Sequence, residues 1–222
     1  MRPLIAAAVL IAFAIPAAHA DDDMYEAGMS AAITAGRYHT DFAYSNGDYR
    51  ADFSRYTVVI TQPAGVHADF GFEGSYLVGS VDSPGLVALD AGSGHSLGVF
   101  WRWEPRLGAH FRLHMLAGYR WNNEVFSSAA GQPEVNWYEG YVAAGPALAL
   151  GRWIIGAGVR WQHVDGRETD PGTAVQPGDF NAARNLGAYL GVTYYLDATG
   201  SVALQAFGGG QRGAEVVFKR EF

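Results

Sequence analysis

The 222-residue chain contains no cysteine. Disulfide staples, thiolate metal sites, nucleophilic thiols and a lipidated cysteine are therefore all excluded. Lysine is almost as scarce, since Lys219 is the only one and every other basic residue is an arginine. A sheet bathed in water ordinarily carries many lysines, whereas arginine suits packed ion-pair networks. Beyond the first twenty residues no apolar run reaches 18 residues. That leaves no transmembrane helix, but a barrel crosses a bilayer on alternation alone. Walker loops, dinucleotide fingerprints, zinc-ligand spacings and nucleophile elbows are also missing. No cofactor and no metal are expected.

What is present starts with a basic Arg2, an apolar run from Leu4 to Ala14 and the small-x-small site Ala18-His19-Ala20. This pattern predicts a cleaved signal peptide over residues 1–20 and a single domain over 21–222. Without Arg2 the remainder holds 14 basic against 22 acidic residues, a net charge of −8. Nucleic acid is thereby disfavoured as a partner.

About ten segments then alternate apolar and polar side chains with the period of a half-buried strand. They lie roughly at 29–42, 52–61, 66–79, 95–103, Phe111 to Trp121, 136–150, Trp153 to Trp161 and 184–196, followed by a closing hairpin from Ser201 to Phe222. The first segment is irregular, with Ile33 and Ala35 on one face and Tyr38 and Phe42 on the other, and suggests a bulge. Short turns near 62–65, 104–108, 151–152 and 197–200 alternate with longer loops near 43–51, 80–94, 122–135 and 165–183. Short turns on one rim and long loops on the other are the arrangement of a transmembrane β-barrel, with the short side periplasmic. The predicted fold is all-β, a closed antiparallel up-and-down barrel of ten strands, with eight as the alternative.

Tryptophan placement decides which face looks out. Trp153 and Trp161 share a face eight residues apart, about 27 Å of strand at ~3.3 Å per residue. Tilted, this nearly spans the ~25 Å apolar band of an outer-membrane barrel. Trp101, Trp103 and Tyr194 then mark the periplasmic rim, and Tyr119, Trp121, Tyr138 and Trp161 the outer rim. Many of the 29 glycines fall on the opposite, inward face, where a narrow barrel must bend.

On these residues the chain resembles the small outer-membrane β-barrels of Gram-negative bacteria, the broad OmpA/OmpX/Opa-like group. The resemblance implies a bacterial outer-membrane location, with outer-membrane lipid and lipopolysaccharide as surroundings. It also implies a final strand read by the barrel-assembly machinery, for which Ala214, Val216, Phe218 and Phe222 match the expected pattern. Arg220 departs from that pattern.

The inward face gathers Arg55, His67, Asp69, Glu73, Arg102, His110, Arg112, His114, Arg120, Glu139 and Arg160, with Lys219 and Glu221 from the last strand. Opposite charges at this density would pair and fill the lumen. The leading expectation is a non-enzymatic barrel with a structural role, or one that meets an extracellular ligand through its loops. The loop positions singled out are Tyr44, Tyr49, Arg50, Asp82, Asn123, Glu124, Arg167 and Asp170. A narrow small-solute channel is the competing reading. An omptin-like hydrolase is a third, resting on His39-x-Asp41 and His163-x-Asp165; against it, long extracellular strand extensions are not expected.

Overall fold

The computed structural model describes residues 28–45, 47–82, 89–127, 132–169 and 178–222. The signal peptide and Asp170 lie outside the described residues, as does the side chain of Asp82. Eleven strands follow one another: β1 (Ser30–Tyr44), β2 (Gly47–Gly65), β3 (Ala68–Asp82), β4 (Leu89–Trp103), β5 (Phe111–Ser127), β6 (Glu134–Leu150), β7 (Trp153–Thr169), β8 (Asp179–Ala182), β9 (Leu186–Tyr195), β10 (Gly200–Gly209) and β11 (Gln211–Glu221). Each of β1 to β7 pairs antiparallel with the next, β9 continues from β7, and β11 closes on β1 with Ser30 opposite Glu221. The closed ring therefore has ten strands.

The eleventh, β8, is not part of that ring. It pairs with β7 through Asn181 opposite Asp165 and with β1 through Phe180 opposite Tyr44. Its position lies above the β10–β11 hairpin, whose strands are only 10 and 11 residues long against 15 to 19 for β1 to β7. At that level β8 replaces β9, β10 and β11 in the wall. The barrel thus narrows from ten strands at its periplasmic end to eight at its outer end.

The link between β8 and β9 lies directly on the hairpin tip. Gly210 donates its N–H to the Leu186 carbonyl at 3.0 Å, and Gln162 donates to Asn185 at 2.8 Å. A Cβ at Gly210 would sit 2.2 Å from the Arg184 carbonyl, and Gly209 adopts a φ of 98°. Both demands select glycine. The Gly208–Gly213 run is a tight hairpin packed under a crossing segment.

Other inward glycines yield space rather than bend the wall. Added Cβ atoms at Gly71, Gly118 and Gly166 would strike the rings of Phe100, Tyr141 and Phe180 at 2.2, 2.4 and 2.1 Å. Large inward side chains lie flat across glycines of the neighbouring strand.

Exposed apolar side chains cover the lower wall, including Ile33, Val58, Leu97, Val159, Leu190 and Phe218. So large an apolar belt fits lipid rather than water. Trp101 stacks on Trp103 and Trp153 meets Tyr194 at one edge of the belt, while Tyr119 stacks on Tyr138 and Trp121 meets His95 at the other. These are the two aromatic girdles of a transmembrane barrel.

Several expectations need correction. β1 holds an unbroken register against both neighbours. Its face alternation is regular, with Tyr38 and Phe42 inward, and no bulge occurs. The β2–β3 turn lies at Val66–His67 rather than 62–65, with the irregularity between Pro63 and Gly65. Strands β2, β5, β6 and β7 extend well past the outer girdle, into stretches that read as loops. Tyr44, Tyr49, Arg50, Asn123, Glu124 and Arg167 accordingly sit on strands, and extracellular strand extensions do exist.

Candidate functional site

The lumen is stacked in three tiers. The outermost is apolar: Phe42, Tyr49, Ala51, Leu77, Val81, Phe126, Val135, Trp137, Val164 and Phe180 form one buried cluster. Phe180, fully buried, meets Phe42 at 4.5 Å and Tyr44 at 5.0 Å between ring centroids. Thus β8 brings the residue that seals the eight-stranded section. Phe42 also packs edge-on against Trp137.

This tier arises because the alternation reverses polarity above the girdle. On β6 the outward residues change from Val142 and Tyr138 to Asn136 and Glu134, while the inward ones change from Glu139 to Trp137 and Val135. Strands β2 and β7 do the same: Tyr49, Ala51 and Val164 point in, and Arg50 and Asp165 point out. Above the membrane belt the protein is built as a water-exposed barrel, with its core inside.

Below this core lies the charged tier. Glu139 accepts hydrogen bonds from Arg120 at 3.1 Å and Arg160 at 2.8 Å, with Arg55 at 3.7 Å. Glu73 accepts from the Arg120 Nε. Arg55 also donates to Asn122 at 3.3 Å. Aromatic faces hold the guanidinium planes: Arg55 lies 5.5 Å from Tyr38 and 5.3 Å from Phe53, and Arg160 lies 4.7 Å from Tyr141. Tyr38 donates its hydroxyl proton to Glu215. Arg55, Glu73, Arg120, Glu139 and Arg160 therefore form one connected cluster at mid-height.

A second charged group lines the periplasmic end. Asp69 binds Arg102, whose Nε lies 3.8 Å from Glu104, and Glu104 pairs with His114 at 2.9 Å. Glu104 stands in the turn after β4. Burial alone would raise its carboxyl, but the His114 hydrogen bond and Arg102 outweigh burial and hold it down at about 2. In the β9–β10 turn, the backbone N–H groups of Thr199 and Gly200 lower the Asp197 carboxyl.

Two residues expected in the lumen are not there. His67 occupies the exposed β2–β3 turn with φ of 63°, and His110 sits in the exposed turn before β5. Arg112 stands at the rim, bridged through its backbone to Arg106. The sequence His110-x-Arg112-x-His114 therefore does not converge, and no group of metal-holding side chains occurs among the described residues.

At the outer rim His39 contacts Asp52 and Arg50 rather than Asp41, and Asp41 takes Arg212 at 3.0 Å. His163 lies flat against Trp161. None of His39, Asp41, His163 or Asp165 lines the lumen cavity. On the closing strand, Phe218 and Phe222 face outward, and the misfit Arg220 also faces outward and pairs with Asp197 at 3.3 Å.

The apolar outer tier was missed from the sequence, although a signal existed. Inward parity continues without interruption from Arg120 through Asn122 and Glu124 to Phe126, and from Glu139 back to Val135.

The chain is similar to several solved outer-membrane proteins. The translocator domain of the autotransporter NalP from Neisseria meningitidis superposes with a TM-score of 0.53 at 13% identity, covering 98% of this chain and 95% of that one. The outer membrane protease OmpT from Escherichia coli gives 0.47 at 13% identity, with 88% and 97% covered. The transport unit of the autotransporter AIDA-I from Escherichia coli gives 0.45 at 12%, with 97% of each chain covered. The first likeness establishes the fold of an outer-membrane β-barrel. No protein-family model and no curated protein matches the sequence.

Proposed function

We propose that this protein is a non-enzymatic, non-conducting barrel of the bacterial outer membrane, acting in envelope structure or in contacts made by the eight-stranded section beyond the membrane. The observation that carries the reading is the apolar core sealing that section: Phe126 and Phe180 are 1% and 0% exposed. Ions crossing it would lose their hydration among closely packed, largely apolar side chains. The small OmpA/OmpX/Opa-like barrels are the group this reading favours, on the strength of the modest size, the short periplasmic turns and the packed outer half of the lumen. Lipopolysaccharide around the outer girdle, and the barrel-assembly machinery acting on the strand that carries Phe218 and Phe222, are the partners proposed. The non-enzymatic part draws support from the rim histidines, which lie on the outward wall instead of around a cleft.

Planar-bilayer recording tests this directly. The intact barrel is expected to give no stable steps, and reproducible ohmic conductance would overturn the reading. Heat-modifiable migration together with detergent dependence is expected for the folded barrel.

A further inference from the structure

We infer that the periplasmic half of the lumen is a binding site for a small oxyanion, a carboxylate or phosphate, admitted from the periplasm. Beneath the charged tier lies a cavity of about 200 Å³. It reaches down to Ser30 and Lys219, at the periplasmic end of the β1–β11 pair. The apolar core shuts the other end. Anything that enters must come from below.

The wall chemistry selects the ligand. Five cationic side chains border the space, Arg55, Arg102, Arg120, Arg160 and Lys219, against two carboxylates, Glu73 and Glu215. Glu139, Asp69 and Glu221 stand behind the cations they pair with and are not part of the wall, so the side of these cations that borders the cavity is left to a ligand. Three buried polar atoms on this wall lack any partner: Arg55 Nε, Arg160 Nε and the Tyr189 hydroxyl. All three can donate a proton. Buried donors without acceptors are unfavourable, so the site calls for oxygen acceptors. Arg55 is 4% exposed and fixed by aromatic stacking, so its ordering is complete before any ligand arrives. The volume falls below the ~300 Å³ at which drug-sized pockets begin. A small ligand fits, and a lipid or an oligosaccharide does not.

The site depends only on this geometry, so a conductance measurement does not decide it. The test is calorimetric titration of the whole detergent-solubilised barrel with succinate and with inorganic phosphate, at constant ionic strength against chloride. At least one oxyanion is expected to bind saturably. Arg160→Gln should weaken it by about ten-fold, as loss of a charge-assisted hydrogen bond does. Tyr189→Phe removes a hydroxyl with no partner among the described residues, so folding should be unchanged, as checked by heat-modifiable migration. It should weaken binding by about three-fold, the size of one neutral hydrogen bond. Absence of saturable binding would mean that the cavity holds water only, and would overturn the inference. Binding untouched by Tyr189→Phe would place the anion elsewhere and overturn it equally.

Discussion

The outer and periplasmic halves of the lumen are bounded by largely the same strands, yet they are opposite materials. In the outer half β8 stands in for three strands and eight strands enclose Phe42, Trp137, Phe126 and Phe180. In the periplasmic half ten strands enclose arginines, carboxylates and a cavity. Strand number sets barrel diameter, and eight strands leave just enough room for side chains to fill the interior. Two further strands leave a remainder, which here is lined with charge. One four-residue strand thus separates a closed core from a charged vestibule.

The largest break in this contrast should come from Phe180→Ala. Truncating a fully buried phenylalanine ordinarily costs about 3–5 kcal/mol. Here it also removes the seal, so loss of unfolding resistance should be accompanied by new conductance in planar bilayers. Arg120→Met comes next. It leaves Glu73 without its cation and Glu139 with one fewer, and breaking a buried pair costs on the order of 3 kcal/mol. Adding Glu73→Gln should recover part of that loss, as read by denaturant unfolding in detergent.

Acid should act on the periplasmic half through Glu104. Glu104 is held below its ordinary value of 4.5, at about 2. Its contribution is complete above about pH 4.5 and disappears as pH falls through about 2. Glu104→Gln should flatten this part of the pH dependence of thermal unfolding. The smallest effect belongs to Arg220→Leu. Its exposed pair with Asp197 lies in solvent-screened surroundings, so the unfolding midpoint should not move measurably.

The sequence made the membrane belt legible because lipid outside and charge inside impose opposite chemistry on alternate residues, as in Leu97, Val99, Trp101 and Trp103. The outer half was illegible for the same reason. Past Trp121 and Tyr138 the wall faces water, polar residues such as Asn123 and Asn136 move outside, and Phe126 and Trp137 move inside. Reversed polarity with unchanged parity reads as a loop. Strand β8 carries too few residues for a period to register at all. Among the lumen residues, Arg120 and Glu139 lie directly opposite each other in the β5–β6 register, a pairing recoverable from parity. Arg160 reaches Glu139 from the neighbouring strand β7, whereas the link from Arg55 crosses the lumen and follows only from closure of the ring.

Paired cysteine labelling tests the two-halves account most directly, because the cysteine-free chain gives no background. Ala51 and Val59 both point inward from β2, one buried in the apolar core and the other half-buried on the cavity wall. Val59→Cys should react readily with a small, charged methanethiosulfonate reagent in the folded barrel, and Ala51→Cys should remain unmodified until unfolding. Equal labelling rates at the two positions would contradict the account.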